Sequence, residues 1–326
     1  MTSPDPVPAI LERLFSEAAS GAIEPPGMFR RTFEPFLARP ERAHALVREA
    51  RYILDTGRGA LARVVDAGCG FGLHAYLYRQ LGALQVEGVE MDPARVEWGR
   101  RLAAFFPAGR EVSLRTGDAC ALPAHDGTVD LLVVRESASH VHDDEALWAE
   151  ARRVLVPGGR LYIRDFNNSL DLTTRGERRD YWRRAEEVPE RGYRDRRRAL
   201  LSAWHPEIAA DRIEDAVERT RGAYGAALKE ASVRLLSGGF EPPAPAFPVR
   251  DPDTGMAHER EFHPWVLARR LRRHGFRARV LPPRLFASGL GLRGRLGAVR
   301  DAAVRWTYPL SSFVTPLFEV LAIRSP

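Results

Sequence analysis

Short apolar runs alternate with stretches in which apolar residues recur every three or four positions, and this alternation organises the middle of the chain. Residues 61–65, 84–90, 112–115, 129–134 and 160–164 read as strands, with helical patterns between them, the last of which ends over 153–159. Two more strands are expected over 276–281 and 318–323, the first preceded by a helix over 264–274 that Gly275 stops. Strands that alternate with helices imply a parallel sheet, with ligands at the carboxyl ends of its strands. The expected fold class is therefore α/β, a doubly wound, mostly parallel seven-stranded sheet.

The flanks are helical as well. Patterns over 7–19 and 41–54 are split by a loop holding Pro25, Pro26, Gly27, Met28 and Phe29. Between the fifth strand and Phe276 lie Tyr181, Trp182, Trp204 and an amphipathic stretch over 207–236 (Ile208, Ile213, Val217, Tyr224, Leu228, Leu235). That stretch fits two or three helices ending at Gly238 and Gly239, followed by a proline-rich linker over 241–253. The segment 282–316, between the last two strands, is unusually long and carries Trp306 and Tyr308.

Chemistry enters where the first strand turns into a helix, at Asp66, Gly68, Cys69, Gly70 and Gly72. Glycines there permit positive φ and let a ligand approach main-chain N–H groups with no Cβ in the way. The dinucleotide fingerprint would need glycine at position 73, which is Leu73, and it requires no acid two residues before its first glycine. A pyrophosphate favours the positive end of a helix without a nearby carboxylate, whereas Asp66 suits a ligand bearing an ammonium group. Two further acids end strands. Glu90 lies about twenty residues after the glycines, the usual place for a ribose-binding acid, and Asp118 follows the third strand.

From about Leu61 to Phe166 the chain resembles the class I S-adenosylmethionine-dependent methyltransferases, in particular the bacterial small-molecule type, on the Asp66 to Gly72 motif and the spaced elements after it. The resemblance implies S-adenosylmethionine as cofactor and S-adenosylhomocysteine as product. It implies that Asp66, with the backbone of Gly68, Cys69 and Gly70 in the turn that Gly72 completes, holds the methionine end. Glu90 would bind the ribose hydroxyls, Met91 would lie against adenine, Asp118 and the Ala119 N–H would meet the adenine edge, and Arg135 would line the cofactor. The division expected is an N-terminal helical lid over 1–58, a cofactor-binding core over 59–168, a helical cap or substrate insertion over 169–258, and the rest of the core over 259–326. Met28, Phe29 and Phe33 are candidates for the lid's inner face, with packing against the sheet as the alternative.

Composition narrows the picture further. With 326 residues the chain exceeds what the core sheet needs, which agrees with an added cap. No apolar stretch reaches membrane-span length and the first residues lack a signal pattern, so a cytoplasmic protein is expected. Cys69 and Cys120 are the only cysteines, so no disulfide framework or four-cysteine site can form, and both read as small packing residues. The net charge of +6 comes almost wholly from arginine, Lys229 being the single lysine, a bias typical of GC-rich coding. In the run over 175–198, Glu177, Asp180, Glu186, Glu187, Glu190 and Asp195 interleave the arginines, the pattern of a solvated helix face laced with ion pairs.

The loop after the fourth strand holds the candidate catalytic groups. His140 is the first choice as general base, because a neutral imidazole accepts a hydroxyl proton near pH 7, and Glu136 is the second, as base or as substrate-orienting group. His142, Asp143 and Asp144 read as the start of the next helix. Asp165, Asn167 and Asn168, near Glu136 in this fold, make an oxygen-rich group that suits magnesium, although the same groups commonly bind substrate hydroxyls; no metal ligand is assigned. After the fourth strand the chain has Arg135, Glu136, Ser137 and Ala138 in place of the Asn-Pro-Pro-Tyr of nucleic-acid amino methylation, and it lacks the Pro-Cys of pyrimidine methylation. The expected partner is a small molecule methylated on a hydroxyl, or on an amine, with neither membrane nor nucleic acid involved and homodimerisation left open. RNA methylation through the arginine-rich cap and a non-catalytic cofactor-binding module are the alternatives.

Overall fold

The structure is a computed structural model that describes residues 6–57, 63–166, 169–173, 180, 183–187, 192–239, 250–253, 255, 260–284, 286 and 291–326, with the backbone alone over 291–296. Tyr181, Trp182, Asn167, Asn168 and the linker over 241–249 therefore lie outside the described residues, as do several members of the arginine-rich run.

The core elements are β1 (Arg63–Ala67), α4 (Leu73–Gln80), β2 (Gln85–Glu90), α5 (Pro93–Arg101), β3 (Val112–Thr116), β4 (Val129–Arg135), α6 (Asp144–Val154) and β5 (Leu155–Phe166). Helix α10 (Pro264–Arg273) then leads into β6 (Phe276–Leu281) and β7 (Leu317–Arg324). The strands form one sheet in the order β3-β2-β1-β4-β5-β7-β6, with β7 antiparallel to both its neighbours. Seven strands were expected, and the sheet of the described residues has seven. Val64, Val65, Leu131, Leu132, Val133 and Val134 are buried, as strands covered by helices on both faces must be. Between β1 and β4 the strand order reverses, and their register pairs Asp66 with Val133. In open α/β sheets such a reversal opens a crevice at the carboxyl ends of the strands.

Three boundaries differ from expectation. The helix expected to end over 153–159 stops at Val154, and Leu155 already belongs to β5. There the β4–β5 ladder jumps from Val129 with Leu155 to Leu131 with Arg160, a bulge that absorbs Gly158 and Gly159 into the strand. The loop expected at Gly27, Met28 and Phe29 is the start of α2 (Gly27–Leu37), which kinks at Phe33 ahead of Pro35. The pattern over 41–54 resolves into a short 3-10 turn, Pro40–Ala43, and α3 (His44–Gly57).

Helices α1 (Pro6–Ser20) and α2 share one aromatic cluster with the glycine turn. Phe29 is fully buried, with its ring 4.5 Å from Phe33, 4.5 Å from Trp98 and 5.2 Å from Phe71, and Phe71 lies inside the turn itself. Phe29 and Phe33 are thus packing residues, and of the three aromatic or thioether candidates only Met28 is exposed. Further helices are α7 (Tyr193–Trp204), α8 (Ala210–Arg219), α9 (Gly225–Leu236) and, between β6 and β7, α11 (Gly291–Trp306). Leu201, Ile213, Ala216, Val217 and Leu228 give α7, α8 and α9 a small core of their own. No helix among the described residues is long and apolar enough to cross a membrane.

Because Phe29 joins α2 to the glycine turn, Phe29→Ala should destabilise the fold by about 3–5 kcal/mol, read from urea unfolding. A loss below about 1 kcal/mol would detach α2 from the core.

Candidate functional site

The carboxyl ends of β1 to β4 meet at the reversal of strand order, and the backbone around Gly68 sets how closely. Gly68, Gly70 and Gly72 all have positive φ, at 76°, 58° and 73°. A Cβ on Gly68 would lie 2.4 Å from Cβ of Ser137, and one on Gly72 would lie 2.6 Å from the Leu114 side chain, so these two glycines let neighbouring strands close up. Gly70 differs, because a Cβ there would meet nothing within 4 Å. Its side of the turn faces open space of the kind a ligand fills.

The turn spends its donors locally. Gly68 and Cys69 N–H both donate to Val89 O, at 2.7 and 3.1 Å, and Gly70 N–H donates to Glu90 Oε2 at 2.9 Å. Glu90 Oε1 accepts the Asp92 N–H at 3.1 Å, and Arg95 approaches to 3.8 Å. Glu90 thereby bridges the glycine turn to the turn after β2. Ser137 Oγ donates to Ala67 O at 2.9 Å, which ties β4 to β1.

Asp66 is left over. It is only 3% exposed, and among the described residues its carboxylate has no hydrogen bond or ion pair. Burial pushes its pKa up to about 7, while Arg135 opposes the rise and Glu90 and Glu49 add to it. A carboxyl group held in that state accepts a cationic partner readily, because the partner supplies what burial has removed.

Arg135 is fixed by its neighbours, with Nη1 at 2.8 Å from Glu136 Oε1 and 4.0 Å from Glu49 Oε1. Glu136 is the one residue other than glycine with positive φ, at 52°, among the described residues, and its N–H donates to Arg164 O at 2.6 Å. Strain of this kind gathers where surrounding structure dictates a side chain's direction. His140 closes a 3-10 turn over Ala138–His140. Beside it Asp165 is fully buried, accepting the Ser139 N–H at 2.9 Å and the Phe166 N–H at 2.7 Å. Burial raises the Asp165 pKa, and these two N–H groups and His140 all pull against the rise. Asp165 is therefore engaged with backbone and His140, and the oxygen-rich group expected around it reduces to Asp165 among the described residues.

On the opposite flank Met91 is 40% exposed, and Asp118 follows β3 with Oδ1 accepting the Cys120 N–H at 2.8 Å; Ala119 lies between them, partly buried. Asp143 caps α6 by accepting the Ala146 N–H, as the expected helix start requires.

Sequence reasoning missed a layer of charge beneath these groups. Glu49 on α3 lies 3.3 Å from Arg164 Nε and 3.6 Å from His74 Nε2, and Arg164 is 3.2 Å from Glu319. All four side chains are buried. Burial alone would raise the Glu49 pKa, but Arg164 and Arg135 outweigh it and hold the group well below the usual carboxylate range. Burial lowers the His74 pKa, with Arg135 adding to the effect.

Residues 65–163 match the family described as a methyltransferase domain. Among curated proteins, the chain is 40% identical over 101 residues to a probable chloroplastic tocopherol O-methyltransferase of Oryza sativa subsp. japonica, covering 31% of this chain and 28% of that one. It is 35% identical over 101 residues to norajmaline N-methyltransferase of Rauvolfia serpentina, covering 31% and 34%. Among solved structures, geranyl diphosphate C-methyltransferase from Streptomyces coelicolor A3(2) aligns at 15% identity and a TM-score of 0.44, covering 85% of this chain and 77% of that one. The chain spans about a third of the length of the two curated relatives.

Asp66 carries a pH signature in the unligated protein. Its pKa rises from an ordinary 3.8 to about 7 on folding, so the folded state retains a proton that the unfolded chain releases. Its favourable contribution is full below about pH 4 and is lost as the pH climbs through about 7. Asp66→Asn should therefore raise the thermal midpoint at about pH 8 and leave it nearly unchanged at about pH 4, as followed by circular dichroism. An equal shift at both values would show that Asp66 does not titrate in this way.

Proposed function

We propose that this chain, whose residues 65–163 are a class I S-adenosylmethionine-dependent methyltransferase domain, methylates a small molecule on a hydroxyl or an amine, such as a sugar or other secondary metabolite. The observation that carries the reading is the buried Asp66 carboxylate without a hydrogen-bond partner, next to the open face of Gly70. The cofactor supplies a methyl group on a sulfonium, open to in-line attack by a nucleophile. In the proposed site Asp66 receives the amino group of its methionine end, beside the backbone of Gly68, Cys69 and Gly70. Glu90 receives the ribose hydroxyls, Met91 lies against adenine, and Asp118 with the Ala119 N–H meets the adenine edge. Arg135, held by Glu136 and Glu49, would line the cofactor after β4. Holding donor and acceptor in line is worth about 7–11 kcal/mol, the larger part of the catalytic work.

His140 takes the acceptor's proton in this reading. Asp165, already fixed by two backbone N–H groups, stabilises the imidazolium that results and keeps it facing the acceptor. Glu136, aimed by its strained backbone, orients the acceptor. The helices over 169–258 and the segment between β6 and β7 form the acceptor's cap, and the helices over 1–58 close the other side.

Methyl transfer from labelled S-adenosylmethionine to hydroxylated compounds, amines and folded RNA tests the activity. Transfer to RNA alone, weakening steeply with salt, would replace this reading with nucleic-acid methylation. Gly70→Ala should cost only about 1–2 kcal/mol of fold stability through its positive φ, yet weaken S-adenosylhomocysteine in calorimetry at least about tenfold. Unchanged affinity would move the cofactor off the glycine turn. His140→Gln should lower kcat about a hundredfold to ten-thousandfold while S-adenosylhomocysteine affinity holds; normal turnover would reduce His140 to packing.

A further inference from the structure

Three side chains of metal-ligand type, one of them the Asp118 assigned to the adenine edge, converge after β3 and β4. Asp118, Cys120 and His142 each place one ligand atom within 4.8 Å of the other two, and all three are partly buried. They come from two separate strand ends. Asp118 and Cys120 share the turn after β3, in which Asp118 Oδ1 is occupied by the Cys120 N–H and Oδ2 is left 3.7 Å from His142 Nδ1. His142 enters from the segment between β4 and α6. Its carbonyl is held by Arg250 and Arg260, and its ring lies edge-on to Tyr224 with centroids 6.2 Å apart. The Cys120 thiol lies 3.1 Å from Asp143 O and also within reach of the Asp118 carboxylate.

Tetrahedral zinc holds sulfur at about 2.3 Å, imidazole nitrogen at about 2.0–2.1 Å and carboxylate oxygen at about 2.0–2.2 Å, so its ligand atoms sit roughly 3.3–3.8 Å apart. The three ligand atoms lie within 4.8 Å of one another, close to that spacing. Sulfur and nitrogen among the donors favour zinc over magnesium or calcium.

We propose that Asp118, Cys120 and His142 bind one divalent cation of the zinc class, with water in the fourth position, and that the cation competes with the cofactor for Asp118. The competition rests on the adenine role proposed for Asp118; the cation site does not. Binding replaces the S–H bond of Cys120 with an S–metal bond and releases the proton to solvent, with no change of oxidation state. Arg250 and Arg260 are engaged with backbone carbonyls, and Arg260 also with Asp144.

The full chain, stripped of metal by chelator, is titrated with Co²⁺ and followed by absorbance. One equivalent should bind with a thiolate-to-cobalt charge-transfer band, displaced by Zn²⁺. Cys120→Ser should abolish that band, and His142→Ala should weaken binding at least about tenfold. An unchanged spectrum in Cys120→Ser, or no stoichiometric binding to the native chain, overturns the site. Saturating Zn²⁺ should weaken S-adenosylhomocysteine at least about tenfold in the native chain and not at all in Cys120→Ser, whose metal-free affinity should match the native value. Cation binding without that antagonism overturns the competition. Failure of the metal-free native chain to bind S-adenosylhomocysteine would instead count against the proposed function, because the cobalt spectrum reads the cation site by itself.

Discussion

A carboxylate buried without a hydrogen bond, at the one place where the sheet reverses its strand order, is the constraint around which the site is built. The nearest backbone donors cannot relieve Asp66, because Gly68 and Cys69 N–H are committed to Val89 O and Gly70 N–H to Glu90. Arg135 supplies only a long-range field, since its guanidinium is bonded to Glu136. An uncompensated buried charge is costly, and the group responds by retaining its proton up to about pH 7. In the proposed site a partner that brings positive charge would relieve Asp66, and the open face of Gly70 would leave room for it.

The charge layer under the sheet edge explains how Arg135 stays in place. Glu49 interacts with Arg164, His74 and Arg135, and Glu319 completes the set through Arg164 and the Arg284 N–H at 2.8 Å. Buried ion pairs of this kind add little net stability relative to apolar packing, but loss of a single member leaves an unpaired charge. Their effect here is registration. Glu49 belongs to α3 and Arg164 to β5, so the pair sets the position of an N-terminal helix against the strand whose carbonyl at Arg164 receives the Glu136 N–H. The N-terminal helices and the strained residue after β4 are thus coupled through two buried side chains.

Much of this was legible before any coordinates. The strand pattern followed from apolar runs that sheet burial demands, and the acids at 66, 90 and 118 from their places at strand ends. The α2 helix was not, because Pro25, Pro26 and Gly27 signal a turn locally while the burial of Phe29 against Phe71 and Trp98 is a long-range effect. Glu49 was invisible for a similar reason: a glutamate in an amphipathic helix reads as solvent-facing unless its buried partner is known. Asp118, Cys120 and His142 lie over twenty positions apart at the extremes, and only the fold brings their donor atoms together.

The arginine-rich segment shows how a correct pattern can misplace its weight. Within the run Arg183 pairs with Asp180 and Arg198 with Asp195, as a laced helix face implies, while Arg194 and Arg198 also reach Glu214, and Arg196 reaches Asp251 and Asp253, outside it. The pairs with Glu214 and Asp253 are largely exposed and contribute about 0–1 kcal/mol each, whereas Asp251 is buried. Arg197 is different, being fully buried, bonded to Glu186 and donating from Nε to Val217 O at 3.1 Å. It thereby joins α7 to α8 beside Leu201 and Val217, and removing one partner of such a pair costs about 3–5 kcal/mol. Trp204 packs against the same small core, with Lys229 Nζ 5.9 Å from its ring, so it belongs to the interior of these helices. Among the described residues, cohesion of α7, α8 and α9 rests on this buried arginine and a few apolar side chains.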